Sequence, residues 1–228
     1  MKNHIIIIGG MGPQASVQLH SLLISNQHTN FKSPDEFPLI VHVSIPVPDF
    51  ISSPEAVPIA IHMIENVGKS IDTKDASVIG LACNTAHLLL DELPSINNDS
   101  FVSMIDAVVA DINAKKFKKV GLLASPFTIE NRLYHKALQT WNIEVVQPND
   151  KDIDRLGAII RRVIAGERPA SLRSELTTIA KRLEKQGVDC ILLGCTELPL
   201  VGINSKLPVI DSLSSLARAM LQRFIAVV

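Results

Sequence analysis

The sequence holds 228 residues, 46% hydrophobic and 20% charged, enough to bury one substantial core or two smaller ones. Its 22 Lys and Arg stand against 23 Asp and Glu, a net charge of −1, so no basic stripe points to nucleic acid or an anionic membrane surface. No apolar run nears the ~20 residues of a membrane span, Met1-Lys2-Asn3-His4-Ile5 leads into a strand without a cleavable signal, and three cysteines make an odd set. The expectation is a cytoplasmic protein with reduced thiols and neither nucleic-acid nor membrane partners.

Ile5-Ile6-Ile7-Ile8 is an uninterrupted β-branched run, which suits a parallel strand buried on both faces. Gly9-Gly10-Met11-Gly12-Pro13 ends it. The glycines allow a tight turn and close ligand approach, and Pro13 fits the first position of a helix over 14–27. Met11, Gly12, Pro13 and Gln14 are therefore candidate substrate contacts. Gly10-x-Gly12-x-x-Ala15 touches on a dinucleotide fingerprint, but the second strand, 39–44, ends without the ribose-binding acid, which sets a nucleotide aside. Residues 45–54 are proline-rich, a loop in which Asp49 is a further candidate contact. A helix over 55–70 with Ile61, Ile64, Val67 and Ile71 on one face follows, and 72–75 turn the chain into a strand over 76–82. Beyond Cys83 a helical stretch stops at Pro94, and 97–100 is the expected crossover to a second lobe.

From there the chain repeats. A strand over 101–105 ends at Asp106, a helix reaches 116, and 120–124 is a second buried strand. Ser125-Pro126-Phe127-Thr128 follows it as Gly10 to Pro13 follow Ile8, which makes Ser125 and Thr128 candidates for lining a cleft. A helix over 129–141, a strand over 143–146, helices over 150–165 and 170–186, a strand over 190–193, a strand ending Ile210-Asp211 and a helix over 212–225 complete the chain. Three features recur in one order: a strand into a small or proline turn, a strand into Cys, and a strand ending Ile-Asp. The echo predicts an α/β fold of two pseudo-symmetric lobes, 1–99 with 207–228 and 100–206, each a mostly parallel four-stranded sheet flanked by helices. A twofold relation of that kind would bring Cys83 and Cys195 across one cleft.

Those two cysteines carry the chemistry. Ala82-Cys83-Asn84-Thr85-Ala86-His87 and Gly194-Cys195-Thr196-Glu197 each put a thiol at a strand-to-helix junction, the edge at which open α/β sheets bind ligands. Unpaired N–H groups at a helix start favour the thiolate. Cys190, inside an apolar strand, packs and is given no role. Paired as one thiolate and one thiol, the two junction cysteines make a base and an acid that need no metal or other cofactor. Neither motif has the Cys-x-x-Cys spacing of a zinc site. Asn84, Thr85 and Thr196 are placed to hold a substrate carboxylate or simply to cap a helix.

At these motifs the sequence resembles, over essentially its whole length, the aspartate/glutamate racemase family of cofactor-independent, two-cysteine amino-acid racemases. The family's glycine loop is matched by Gly9-Gly10-Met11-Gly12-Pro13, and its cysteine motifs by Cys83-Asn84-Thr85-Ala86-His87 and Gly194-Cys195-Thr196-Glu197. Glu197 resembles the aspartate racemase branch, and a part for His87 and Glu197 in assisting the thiols or binding an ammonium group rests on the family resemblance of the two motifs. The resemblance implies flavodoxin-like lobes with the last helix returning to the first, an active site in the interlobe cleft, and independence of pyridoxal phosphate. It also implies a small amino-acid substrate, aspartate or glutamate, and a homodimer. Two departures bear on the substrate. Pro48-Asp49-Phe50 stands where relatives often show Pro-Asp-Arg, and Ile164 stands before Ala165-Gly166 where they often carry a cation. A distal carboxylate is then held less firmly, unless Arg132, His87 or Arg161 supplies the charge. Hydantoin racemases and maleate isomerases share the two cysteines and remain alternatives, as does a non-catalytic small-molecule sensor.

Overall fold

The β-branched run forms β1 (His4–Gly9), with Ile5 to Ile8 at most 1% exposed, and it pairs in parallel with β2 (Leu39–Ser44) on one side and β3 (Val78–Leu81) on the other. Burial of each such side chain contributes about 1.5–3 kcal/mol, which is why this run takes the centre of its sheet. β4 (Phe101–Val102) adds to β3, giving four parallel strands in the order β2-β1-β3-β4. The computed structural model describes residues 4–27, 31, 33, 36–50, 53–71, 73, 76–167 and 169–227. The turn expected over 72–75 lies outside them apart from Thr73, as do residues 51 and 52 of the proline-rich loop.

A second sheet repeats the order. β5 (Lys119–Leu123) is flanked by β6 (Glu144–Val146) and β7 (Cys190–Leu193), and β8 (Val209–Asp211) closes on β7, all parallel, as β6-β5-β7-β8. The helices in chain order are α1 (Pro13–Gln27), α2 (Val57–Ser70), α3 (Met104–Ala114), α4 (Pro126–Glu130), α5 (Leu133–Gln139), α6 (Asp150–Ile164), α7 (Pro169–Glu184), α8 (Leu198–Val201) and α9 (Ser212–Val227). A 3-10 helix, Thr85–Glu92, follows β3. Among the described residues no helix is long and apolar enough to cross a membrane.

The chain divides into two compact units, Met1–Met104 with Leu213–Val228, and Ile105–Ser212. These boundaries fall later than those expected at 99/100 and 206/207, for a reason of pairing. Phe101 and Val102 bond to β3 and so close the first sheet, whereas Val209 to Asp211 bond to β7 and close the second. Met104-Ile105-Asp106 is not a strand end but the first turn of α3. The counterpart of β8 is therefore the two-residue β4. The helix after each fourth strand then packs into the other unit's core: Ile105, Val108 and Ile112 of α3 lie with Val120, Leu122 and Leu192, and Leu213, Leu216 and Met220 of α9 lie with Ile5, Ile7 and Leu19. The helix expected over 129–141 is broken into α4 and α5 at Arg132, whose φ of 55° no helix accommodates.

Candidate active site

In the first unit the carboxyl end of β1 ties three loops together. Gly9 O accepts the Ile45 N–H at 2.9 Å and Ile8 O accepts the Ala82 N–H at 2.8 Å, so the glycine loop, the proline-rich loop and the Cys83 turn share one anchor. Gly10 has φ of +100°, and a Cβ there would sit 2.1 Å from Ile45 O, so only glycine fits between these loops. Around this anchor Met11, Gly12, Cys83, Asn84 and Thr85 are buried, Gln14 is half-buried, and Pro13 and Asp49 are exposed. Phe50 is 2% exposed and belongs to the apolar cluster of Met11, Ile45 and Ala86.

His87 has a different part from the one expected. The Met104 N–H donates to its Nε2 at 3.1 Å, so the ring proton sits on Nδ1, which donates to the Cys83 carbonyl at 2.8 Å. Both nitrogens are engaged within the first unit, and neither is left to bind substrate in this arrangement. The histidine pins the Cys83 turn to the start of α3.

The second unit builds its cysteine turn on the same plan. The amide of Gly194, the residue before Cys195, donates to Leu123 O of the central strand at 2.8 Å, as the amide before Cys83 donates to Ile8 O. Cys195, Thr196 and Glu197 are 4%, 1% and 2% exposed. The Cys195 thiol donates to Glu197 Oε2 at 3.0 Å and the Thr196 hydroxyl donates to the same oxygen at 3.1 Å. Through one oxygen Glu197 thus accepts from both the thiol and the hydroxyl of its own turn. The helix that follows, α8, has only four residues, so the help expected from an aligned helix reduces to the N–H groups of the turn. Ser125 and Thr128 are fully buried and bonded to each other: the Ser125 hydroxyl donates to Thr128 Oγ1 at 3.0 Å and accepts the Thr128 N–H at 3.2 Å, which caps α4. They shape the turn after β5.

Sequence reasoning missed Tyr134. This one tyrosine of the chain is fully buried in α5, and its ring lies on Gly194, where a Cβ would come within 2.9 Å of Tyr134 Cε2. Burial, and after it the proximity of Cys195 and Asp211, pushes its ionisation far up, with Ser212 bonded to its side chain in opposition. The signal was a small residue before Cys195, which the sequence explained by the turn alone. Cys190 is fully buried in β7, and burial together with Asp189 pushes its thiol up to about 12. Ile164 is 37% exposed at the end of α6. Among the described residues no three His, Cys, Asp or Glu side chains converge as a metal site would require.

Two four-stranded parallel sheets of one strand order, flanked by helices, match the fold of two-lobed racemase structures. The Asp/Glu/Hydantoin racemase family matches residues 8–220, and the chain belongs to that family, among isomerases that act on amino acids. It is 29% identical to the solved Picrophilus torridus aspartate racemase, with a TM-score of 0.81 over 97% of this chain and 94% of that one. An aspartate racemase homologue from Pyrococcus horikoshii OT3 is also 29% identical, with a TM-score of 0.78 over 98% and 99% of the two chains. The broad specificity amino-acid racemase RacX of Bacillus subtilis is 23% identical over 96% of this chain and 97% of its own. An uncharacterised protein of Pectobacterium carotovorum is 37% identical over 44% of this chain and 66% of its own length, and the chain spans only about half (47%) of the glutamate racemase of Shewanella woodyi.

Proposed function

We propose that this protein racemises an amino acid without a cofactor, Cys83 and Cys195 acting at opposite faces of Cα. The observation that carries the reading is the equivalence of the two turns: each cysteine lies just beyond the third strand of a 2-1-3-4 sheet, after a residue whose amide is bonded to the end of the central strand. In the reaction the thiolate of one cysteine takes the α-proton and becomes a thiol, and the C–H electron pair stays on the substrate as a carbanion delocalised into its carboxylate. The thiol of the other cysteine then gives its proton to the opposite face and becomes the thiolate. The roles exchange for the other enantiomer. Backbone and side-chain donors of Met11, Gly12, Gln14, Asn84 and Thr85 in one unit and Thr196 in the other are the candidates for holding the α-carboxylate, with Pro13 fixing the loop between two of them, and exposed Asp49 for the ammonium group.

Aspartate and glutamate are the first substrates to test, because the Picrophilus torridus protein is an aspartate racemase. Phe50, buried among apolar side chains, and Ile164 present no cation to a second carboxylate, and the similar Bacillus subtilis racemase is one of broad specificity. Acidic amino acids should then be turned over with high KM, or a less acidic one preferred. A panel of pure L- and D-amino acids, read by chiral chromatography on protein dialysed against chelator, checks this. Turnover of none, or activity recovered only with pyridoxal phosphate or zinc, contradicts the proposal.

A further inference from the structure

Two elements that hold the glycine loop in place meet at a pair of histidines. His20 of α1 and His42 of β2 lie ring against ring, their centroids 5.6 Å apart and their planes at 77°, and both are half-buried. By the alternation of the strand His42 shares the α1 side of the sheet with Ile40, which packs on Ile5, Ile7, Leu19 and Leu23. Its Nε2 is buried, and among the described residues that nitrogen has no hydrogen-bond partner. A neutral ring tolerates this by leaving Nε2 unprotonated, whereas an imidazolium donates at both nitrogens and its new N–H would lack an acceptor. The elements packed against His42 bring no negative charge to offset it. β1 sets Ile7 beside it, and the one titratable group of that strand, His4, has the parity of Ile6 and Ile8, which face the other side of the sheet. α1 carries no Asp, Glu, Lys or Arg, so its one titratable group is His20 itself. Glu36 and Asp49 stand beyond the two ends of β2. Burial, and after it His20, holds the His42 ring below the ordinary histidine value.

Both partners of this contact run straight into the loops of the candidate site. α1 begins at Pro13, within the glycine loop, and lies so close to the end of β1 that a Cβ on Gly9 would come within 2.1 Å of Ser16 Cβ. β2 continues into Ile45, whose N–H donates to Gly9 O. A shift of α1 away from β2 is therefore felt at Gly9 and the residues up to Gln14. We propose that the His20–His42 pair is an acid-sensitive joint: a proton taken up by His42 parts α1 from β2 and loosens the glycine loop. The joint stands on its own geometry within the first unit, whereas its effect on turnover rests on the racemase reading above. The folded chain holds a proton on His42 less readily than the unfolded chain does. The stabilisation from the closed joint is then complete above the ordinary histidine range and is lost as pH falls through it.

The test is hydrogen exchange of the full chain, followed by mass spectrometry at about pH 7.5 and about pH 5.5 and corrected for the pH dependence of exchange itself. Peptides over 9–27 should lose protection in acid, by up to about tenfold for each pH unit below the ordinary histidine value. α2, which packs on the other face of the sheet, should keep its own. His42→Gln, which takes no proton, should abolish the acid loss, and His20→Gln, which removes the neighbouring ring, should shrink it. Each variant is compared as a ratio between the two pH values, so a lower stability at both leaves the comparison intact. His135, also lowered by burial and by Arg132, belongs to the second unit and does not enter these peptides. Protection over 9–27 that acid leaves unchanged in the parent, or an acid loss that survives His42→Gln, overturns the proposal. A chain that loosens α1 in acid yet racemises nothing contradicts only the racemase reading.

Discussion

The three cysteines differ by position along their strands. Cys190 lies within β7 with no exposed surface, and burial holds its thiol far from ionisation at neutral pH, so it is a packing group. Cys190→Ser should cost ~1–3 kcal/mol of stability by placing a hydroxyl in that strand, while turnover per folded molecule stays as in the parent. Urea denaturation beside an activity assay reads both, and a large loss of turnover at unchanged stability would show that Cys190 does more than pack. Cys83 and Cys195 stand past the strand ends, where the chain leaves the sheet and polar neighbours replace apolar ones. Their location was legible in the sequence because a run of apolar residues stops at a small residue before each. The hydrogen bonds of His87 to the Cys83 carbonyl and the Met104 amide were not, because they depend on which atoms the turn brings to its side chain.

At the scale of elements, helix and strand ends decide several outcomes. α3 is followed by Lys116 at φ of 59°, with its N–H bonded to Asn113 O and that of Phe117 to Ile112 O, a helix stop that normally takes glycine. Lys116→Gly should raise stability by ~0.5–1 kcal/mol, the left-handed penalty of a side chain outweighing the greater freedom of unfolded glycine. A lower melting temperature would contradict this. Two carboxylates also tie elements together. The Lys118 and Lys119 backbone N–H groups at the start of β5 hold the Asp189 carboxyl below its ordinary value. Burial works to raise Glu65 of α2, but the hydroxyl and amide of Ser95 and the ammonium of Lys69 outweigh it and leave that carboxyl lowered as well. Both groups bind protons less readily when folded, so the unfolded chain takes up more protons as pH falls. Their stabilisation is complete above the ordinary carboxylate range and is lost as pH drops through it. Asp189→Asn should flatten that acid limb in a stability-against-pH series, and an unchanged limb would contradict the assignment. The continuous apolar runs of β1, β5 and β7 were readable because burial on both faces imposes them. The two residues of β4 were not, since only their bonds to β3 define them, and neither was the break at Arg132, where the sequence carries no glycine or proline to announce it.

At the scale of the whole molecule, the chain uses one plan twice: a central strand, an edge strand, a strand ending at a cysteine, and a fourth strand whose following helix packs into the other unit's core. The repeat was legible from the order of its motifs, and its exact phase was not, because Met104-Ile105-Asp106 imitates the strand end at Val209–Asp211 while forming the start of a helix. A duplicated plan that ends each third strand in a thiol is what the two-base account needs, one proton-transfer group per face of Cα.

The most direct test of that account is reaction of one pure enantiomer in heavy water, followed by mass analysis of both enantiomers early in the reaction, with Cys83→Ser and Cys195→Ser in parallel. A thiol that has exchanged with solvent before substrate enters delivers deuterium, so the newly formed enantiomer should carry deuterium at Cα while the remaining starting enantiomer stays largely protonated. Each serine variant should lose several powers of ten in turnover, every tenfold loss being ~1.4 kcal/mol of barrier. Early product that retains the substrate's own hydrogen in most molecules, or racemisation left intact by either single replacement, would contradict the assignment of Cys83 and Cys195 as opposed bases.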